Sequence, residues 1–134
     1  MLRGYFSCEI RGVQGEACPP EKQWDNLDLA CQKAQVIRQR FPDVNLFVPH
    51  EVEVLNNLYF GGDITGDDIV DIERVLILSH LFDFVVTVGE CHTGTGVDAE
   101  AKAAHLCGVP VIFIDDVEEV SMEILAQRLA SMSE

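Results

Sequence analysis

Apolar residues in this chain alternate between short β-branched or aromatic runs and longer stripes of helical period. Residues 2 to 8 (LRGYFSC), 44 to 48 (VNLFV), 84 to 88 (FVVTV) and 109 to 114 (VPVIFI) are bounded by turn residues and predict four strands. Between the first two, Trp24, Leu27, Cys31, Ala34, Ile37 and Phe41 recur at three- and four-residue spacing, while Glu21, Lys22, Asp25, Lys33 and Arg40 fall largely elsewhere. That pattern predicts one amphipathic helix, opened by the prolines of ACPP and ended by Pro42-Asp43. Residues 51 to 67 mix a helical start with a glycine-rich, acidic stretch of no clear period, and read as a loop with one helical turn that lies over a pocket. From Asp68, DIVDIERVLILSHLF is apolar nearly all round, which predicts a helix buried on more than one side with Asp67 or Asp68 as N-cap. An alanine-rich helix follows GTG and carries Glu100. A closing helix has Met122, Leu125, Leu129 and Met132 on one face and Ser121 as its cap.

This order, strand and helix in alternation, predicts an α/β protein with an open parallel sheet of four to five strands, helices on both faces and right-handed crossovers, of the flavodoxin/Rossmann-like type. With 134 residues, 48% of them hydrophobic and 24% charged, the chain fills one core, so residues 1–134 are expected to form a single domain. The formal net charge of −14 argues against nucleic acid or an anionic membrane surface as partner, because both are held by a surplus of lysine and arginine. The longest apolar run, Val75 to Val88, is broken by Ser79, His80 and Asp83 and falls short of the roughly 20 residues of a membrane span. No signal peptide is expected. The five cysteines are odd in number and never in CxxC spacing, and read as reduced thiols of a cytoplasmic protein, with neither a metal site nor a cofactor implied.

In a parallel sheet, ligands sit outside the carboxyl ends of the strands. Those ends here present Tyr5 to Arg11, His50, Glu90 to Gly96 and Asp115. A glycine-rich loop entering a helix can offer backbone N–H groups to an oxyanion or a ribose hydroxyl. Glu100, one turn into that helix, has two readings: a favourable partner of the helix dipole, or a carboxylate that attacks an electrophilic sugar carbon.

The stretch Tyr5-Phe6-Ser7-Cys8-Glu9-Ile10-Arg11-Gly12, together with DFVV, GVDAE and the later GVPV, resembles the nucleoside 2-deoxyribosyltransferase superfamily, and within it the 2′-deoxynucleoside 5′-monophosphate N-glycosidases. In that family the first strand ends in a Tyr-Phe-Cys-Gly-Ser-Ile-Arg-Gly type sequence. Its catalytic glutamate lies four residues after a glycine and ten before the proline of a Gly-x-Pro, as Glu100 lies relative to Gly96 and Pro110. The resemblance implies that Glu100 is the nucleophile at C1′, that the Tyr5 hydroxyl positions or activates it, and that Ser7, Glu9, Arg11, Gly12, Gly94, Thr95 and Gly96 line the substrate site. His50 and His92, expected at the same edge, join them as contacts to base or sugar. Family members are often dimers or larger, so a homo-oligomer is implied, in keeping with the apolar helix from Asp68.

The sequence also departs from the family. The family's catalytic aspartate stands about two helical turns before the aspartate that opens the third strand; counted back from Asp83, that register falls on Arg74 or Val75. Asp71 takes the role if the helix is one turn longer, and is assigned it here; otherwise Glu73 is the nearest acid. Glu9 replaces a serine that touches phosphate, and Gly94 replaces a small hydroxyl residue, so a nucleoside or other ribosyl compound is favoured over a monophosphate. The expected function is therefore hydrolysis of an N-glycosidic bond, or 2-deoxyribosyl transfer, on a nucleoside or nucleotide. The alternative is a non-catalytic module of the same fold that binds or senses such a ligand.

Overall fold

The structure, a computed structural model, describes residues 1–8, 18–89 and 95–132. Four strands form one all-parallel sheet: β1 (Arg3–Ser7), β2 (Asn45–Phe47), β3 (Phe84–Val88) and β4 (Val111–Ile114), in the order β2-β1-β3-β4. Five helices join and flank them: α1 (Pro20–Arg40), α2 (Glu53–Phe60), α3 (Gly66–Leu78), α4 (Thr95–Leu106) and α5 (Glu119–Met132), with a 3₁₀ turn at Pro49–Glu51. This is the open α/β sheet that the alternating pattern predicts, with helices on both faces.

The two-residue period of the strands assigns each side chain to one of two layers. Phe6, Phe84, Val86, Val88, Ile112 and Ile114 pack with Ala30, Ala34 and Ile37 of α1 and Met122, Leu125 and Leu129 of α5. On the other face Tyr5 and Val85 pack with Ile77 of α3 and Ala103 and Ala104 of α4. Gly4 is paired with Phe84, and a Cβ at Gly4 would stand 2.3 Å from the Phe84 ring, so the strand needs glycine for the two chains to close. Asp83 pins the start of β3 to β1: its N–H donates to the Arg3 carbonyl at 2.7 Å, and its carboxylate accepts from the Arg3 N–H at 2.7 Å.

Several local expectations are corrected. Residues 53–60 form a full helix of eight residues, not a single turn. Its aromatic end is fixed by another helix, not by the core: Phe60 stacks on Trp24 with ring centroids 4.1 Å apart, and the Tyr59 hydroxyl donates to Gln23 at 2.6 Å, while Val54 and Leu58 stay exposed. Trp24 therefore leaves the buried stripe of α1, and Gln23 enters it, its amide satisfied by the Cys18 carbonyl at 2.8 Å.

The N-cap of α3 is Thr65, not Asp67 or Asp68: its side chain accepts from the Asp68 N–H while the Asp68 carboxylate accepts from the Thr65 N–H, a reciprocal capping box. Within the single chain, helix α3 is buried on one side, through Glu73 and Ile77, and Ile72, Val75 and Leu78 are exposed; burial at a subunit contact, the other part of the expectation, concerns that exposed side. At α5 the Glu118 carboxylate accepts from the Ser121 N–H at 3.1 Å, so Glu118 takes the capping contact expected of Ser121. No helix of the described residues is long and apolar enough to cross a membrane.

Candidate functional site

The chain runs outward from β1 to β2 and then back across to β3, so the order of the sheet reverses between β1 and β3. Parallel sheets bind ligands outside the carboxyl ends of two strands related in this way. On the α3/α4 face the strand ends turn polar, with Tyr5 and Ser7 on β1 and Thr87 beside Ser7 on β3, all three buried.

Glu100 meets this polar patch from above. Helix α4 turns Val97, Glu100, Ala103 and Ala104 inward at three- and four-residue spacing, so the carboxyl points at the sheet and is only 2% exposed. The Tyr5 hydroxyl donates to Glu100 Oε1 at 3.2 Å, joining residues 95 positions apart. Tyr5 is itself wedged by Phe82, edge-on at 5.2 Å between centroids, and Phe47 at 5.7 Å, which fixes the direction of its hydroxyl.

A second carboxyl, Glu73, enters from α3 and acts on both Tyr5 and Glu100 through charge and hydrogen bonding. Its burial follows from helical period: Glu73 and Ile77 are four residues apart, and Ile77 is fully buried against the sheet. Asp71, two residues earlier, is rotated to the opposite side of α3; its side chain is 72% exposed and ion-pairs with Arg74 at 3.7 Å. Among the described residues the acid that faces Tyr5 and Glu100 is therefore Glu73, the alternative named beside Asp71, while the Asp71 carboxyl faces solvent.

Burial, then the neighbouring Glu73 carboxyl, push Glu100 well above the usual carboxylate range, against smaller opposing effects of the Ser7 and Tyr5 hydroxyls. Burial and the same two carboxyls push Tyr5 above its ordinary value. Both groups are thus held toward their neutral forms. Glu100 Oε2 and Ser7 Oγ are buried and have no hydrogen-bond partner among the described residues, although Ser7 stands near enough to Glu100 to act on its proton.

His50 is buried on the 3₁₀ turn after β2, where its carbonyl accepts from the Asn56 side chain at 2.8 Å. That turn is tied to α1 by Arg38, which pairs with Glu51 at 2.6 Å and donates to the Leu46 carbonyl at 2.8 Å. Thr95 and Gly96 open α4, as the strand-loop-helix pattern requires. Glu9, Arg11, Gly12, His92 and Gly94 lie outside the described residues.

Among the described residues no group of three or more His, Cys, Asp or Glu converges as a metal site. Cys18, Cys31 and Cys107 are free thiols, but Cys8 is disulfide-bonded, which corrects the expectation of five reduced cysteines.

No family model matches the chain, and neither a curated protein nor a solved structure matches it.

Proposed function

We propose that the chain cleaves the N-glycosidic bond of a nucleoside or nucleotide, with Glu100 as nucleophile, Tyr5 as the residue that positions it, and Glu73 as proton donor. The observation that carries this reading is the contact of Tyr5 with Glu100 at 3.2 Å, with a second buried acid beside the pair. It agrees with the resemblance to the nucleoside 2-deoxyribosyltransferases in the two residues that matter most. Chemically, the Glu100 carboxylate attacks C1′ as the bond to the base breaks, and Glu73 protonates the departing nitrogen. The glycosyl ester is then opened at C1′ by water, whose proton returns to Glu73, or by a second base. Division into two displacements replaces one high barrier with two lower ones.

A non-catalytic module of the same fold that binds a nucleotide-like ligand is the second reading. The near-complete burial of Glu100 favours it, because a nucleophile must reach its carbon. Release of free base from a panel of nucleosides and nucleotides separates the two. Turnover by the wild type that is lost in Glu100→Gln is the expected result. Ligand binding without turnover by the wild type selects the binding module, and full activity in Glu100→Gln removes Glu100 from the mechanism.

We also propose self-association through α3, whose Ile72, Val75 and Leu78 lie in solvent, Val75 at 65% exposure. Sedimentation at micromolar concentration should give a dimer or larger, and Val75→Lys a monomer. A wild-type monomer would rule this out.

A further inference from the structure

Tyr5 and Ser7 are two residues apart on β1 and so project on the same face of the sheet, toward α4 and Glu100. Tyr5 donates to Glu100 Oε1 at 3.2 Å. Ser7 is 1% exposed, and its hydroxyl has no partner among the described residues; the same is true of Glu100 Oε2. Two polar atoms buried this way each carry a desolvation cost that no hydrogen bond among the described residues offsets, which points to a bond made in another protonation state.

The hydroxyl of serine is a rotor and can donate, whereas an ionised carboxylate accepts through both oxygens. A carboxylic acid in the neutral form gives Ser7 no strong acceptor; a carboxylate does. Among the described residues, the groups that act on Glu100 are Glu73 from α3, which opposes ionisation, and Ser7 and Tyr5 from β1, which favour it; no lysine, arginine or histidine is among these.

We infer that Ser7 is a positioning residue for Glu100, its hydroxyl turning to donate to Oε2 when the carboxyl ionises, so that Tyr5 and Ser7 each hold one oxygen. Ser7 thereby moves from the substrate contacts to the apparatus that readies the nucleophile. The inference rests on the proposed role of Glu100, and it also makes a claim about the contact alone.

The test is titration of the Glu100 side-chain carboxyl by carbon NMR in protein labelled at the glutamate carboxyl carbon, its signal identified by its absence in Glu100→Gln. Wild type, Ser7→Ala and Ser7→Thr are compared, with circular dichroism to confirm folding. The midpoint should rise in Ser7→Ala by about one to two pH units, the size of one hydrogen bond to a charged group, and Ser7→Thr, which keeps the hydroxyl, should restore it. In the base-release assay the acid limb of kcat/KM should move upward with it.

Equal midpoints in wild type and Ser7→Ala overturn the inference, as does a Ser7→Thr midpoint equal to that of Ser7→Ala. If Ser7→Thr does not fold, the comparison of wild type with Ser7→Ala decides alone. Failure of the two proposals looks different. A midpoint that moves while Glu100→Gln keeps full turnover sinks the nucleophile and leaves the contact; an unmoved midpoint with turnover lost in Glu100→Gln sinks only Ser7.

Discussion

Replacing Glu100 by glutamine should stabilise the protein at neutral and alkaline pH. The substitution keeps the shape and keeps an oxygen to accept from Tyr5, whose hydroxyl lies 3.2 Å from Oε1. It removes a carboxyl that burial and Glu73 hold well above the usual range. The sign follows from proton binding. A carboxyl whose affinity for the proton is raised by folding binds more protons in the folded state, so stability falls as pH rises from the unfolded carboxylate value through the raised folded one. Above that window the wild type bears the whole cost of a charge buried beside a second acid, and the glutamine variant bears none of it.

An uncompensated buried polar or charged group costs on the order of 1 to 3 kcal/mol, and glutamine should recover about that much at pH 8. At pH 4 both side chains are neutral and the two proteins should unfold at nearly the same urea concentration. The assay is urea unfolding of both proteins at intervals from pH 4 to pH 8, with the gap between midpoints plotted against pH. A gap that stays at zero throughout, or a variant less stable than wild type at pH 8, would refute the reasoning. Loss of turnover together with a gain in stability is the trade expected of a strained functional group.

Two further predictions follow from the same geometry. Glu73→Gln should lower base release by about 10²- to 10⁴-fold, the usual size of a general-acid contribution, while Asp71→Asn, altering a side chain in solvent, should leave kcat within about twofold. The reverse pattern would return the acid role to Asp71. Gly89→Ala should destabilise by about 1 to 3 kcal/mol in thermal unfolding, since Gly89 has φ of 52° and a Cβ there would stand 2.6 Å from the Asp115 carbonyl oxygen; an unchanged melting temperature would contradict that strain.

The strands were legible because their period of two and their β-branched runs are local, and α1 because its apolar stripe is long. Helix α2 was not, because Phe60 and Tyr59 answer to Trp24 and Gln23 of another helix, a pairing no local period reveals. Tyr5 and Glu100 could be named from sequence, each by its place in a motif at a strand end or a helix start. The choice between Asp71 and Glu73 could not be made that way. Asp67, Asp71 and Arg74 line one side of α3, but Ile69, Val70, Ile72, Val75, Leu76, Ile77 and Leu78 spread over so wide an arc that the pattern does not say which part of it meets the sheet.

Sequence alone therefore determined the alternation of elements, the direction of the strands and which loops meet at one edge, since hydrophobic period and crossover handedness act over short range. Tertiary structure decided which side of α3 meets the sheet. Packing Ile77 against β1 and β3 carries Glu73 inward with it, four residues away on the same face, and sends Asp71 to solvent. It also left Ser7 Oγ and Glu100 Oε2 buried without partners among the described residues, because the fit of helix to sheet, and not either segment, sets which polar atoms find a bond.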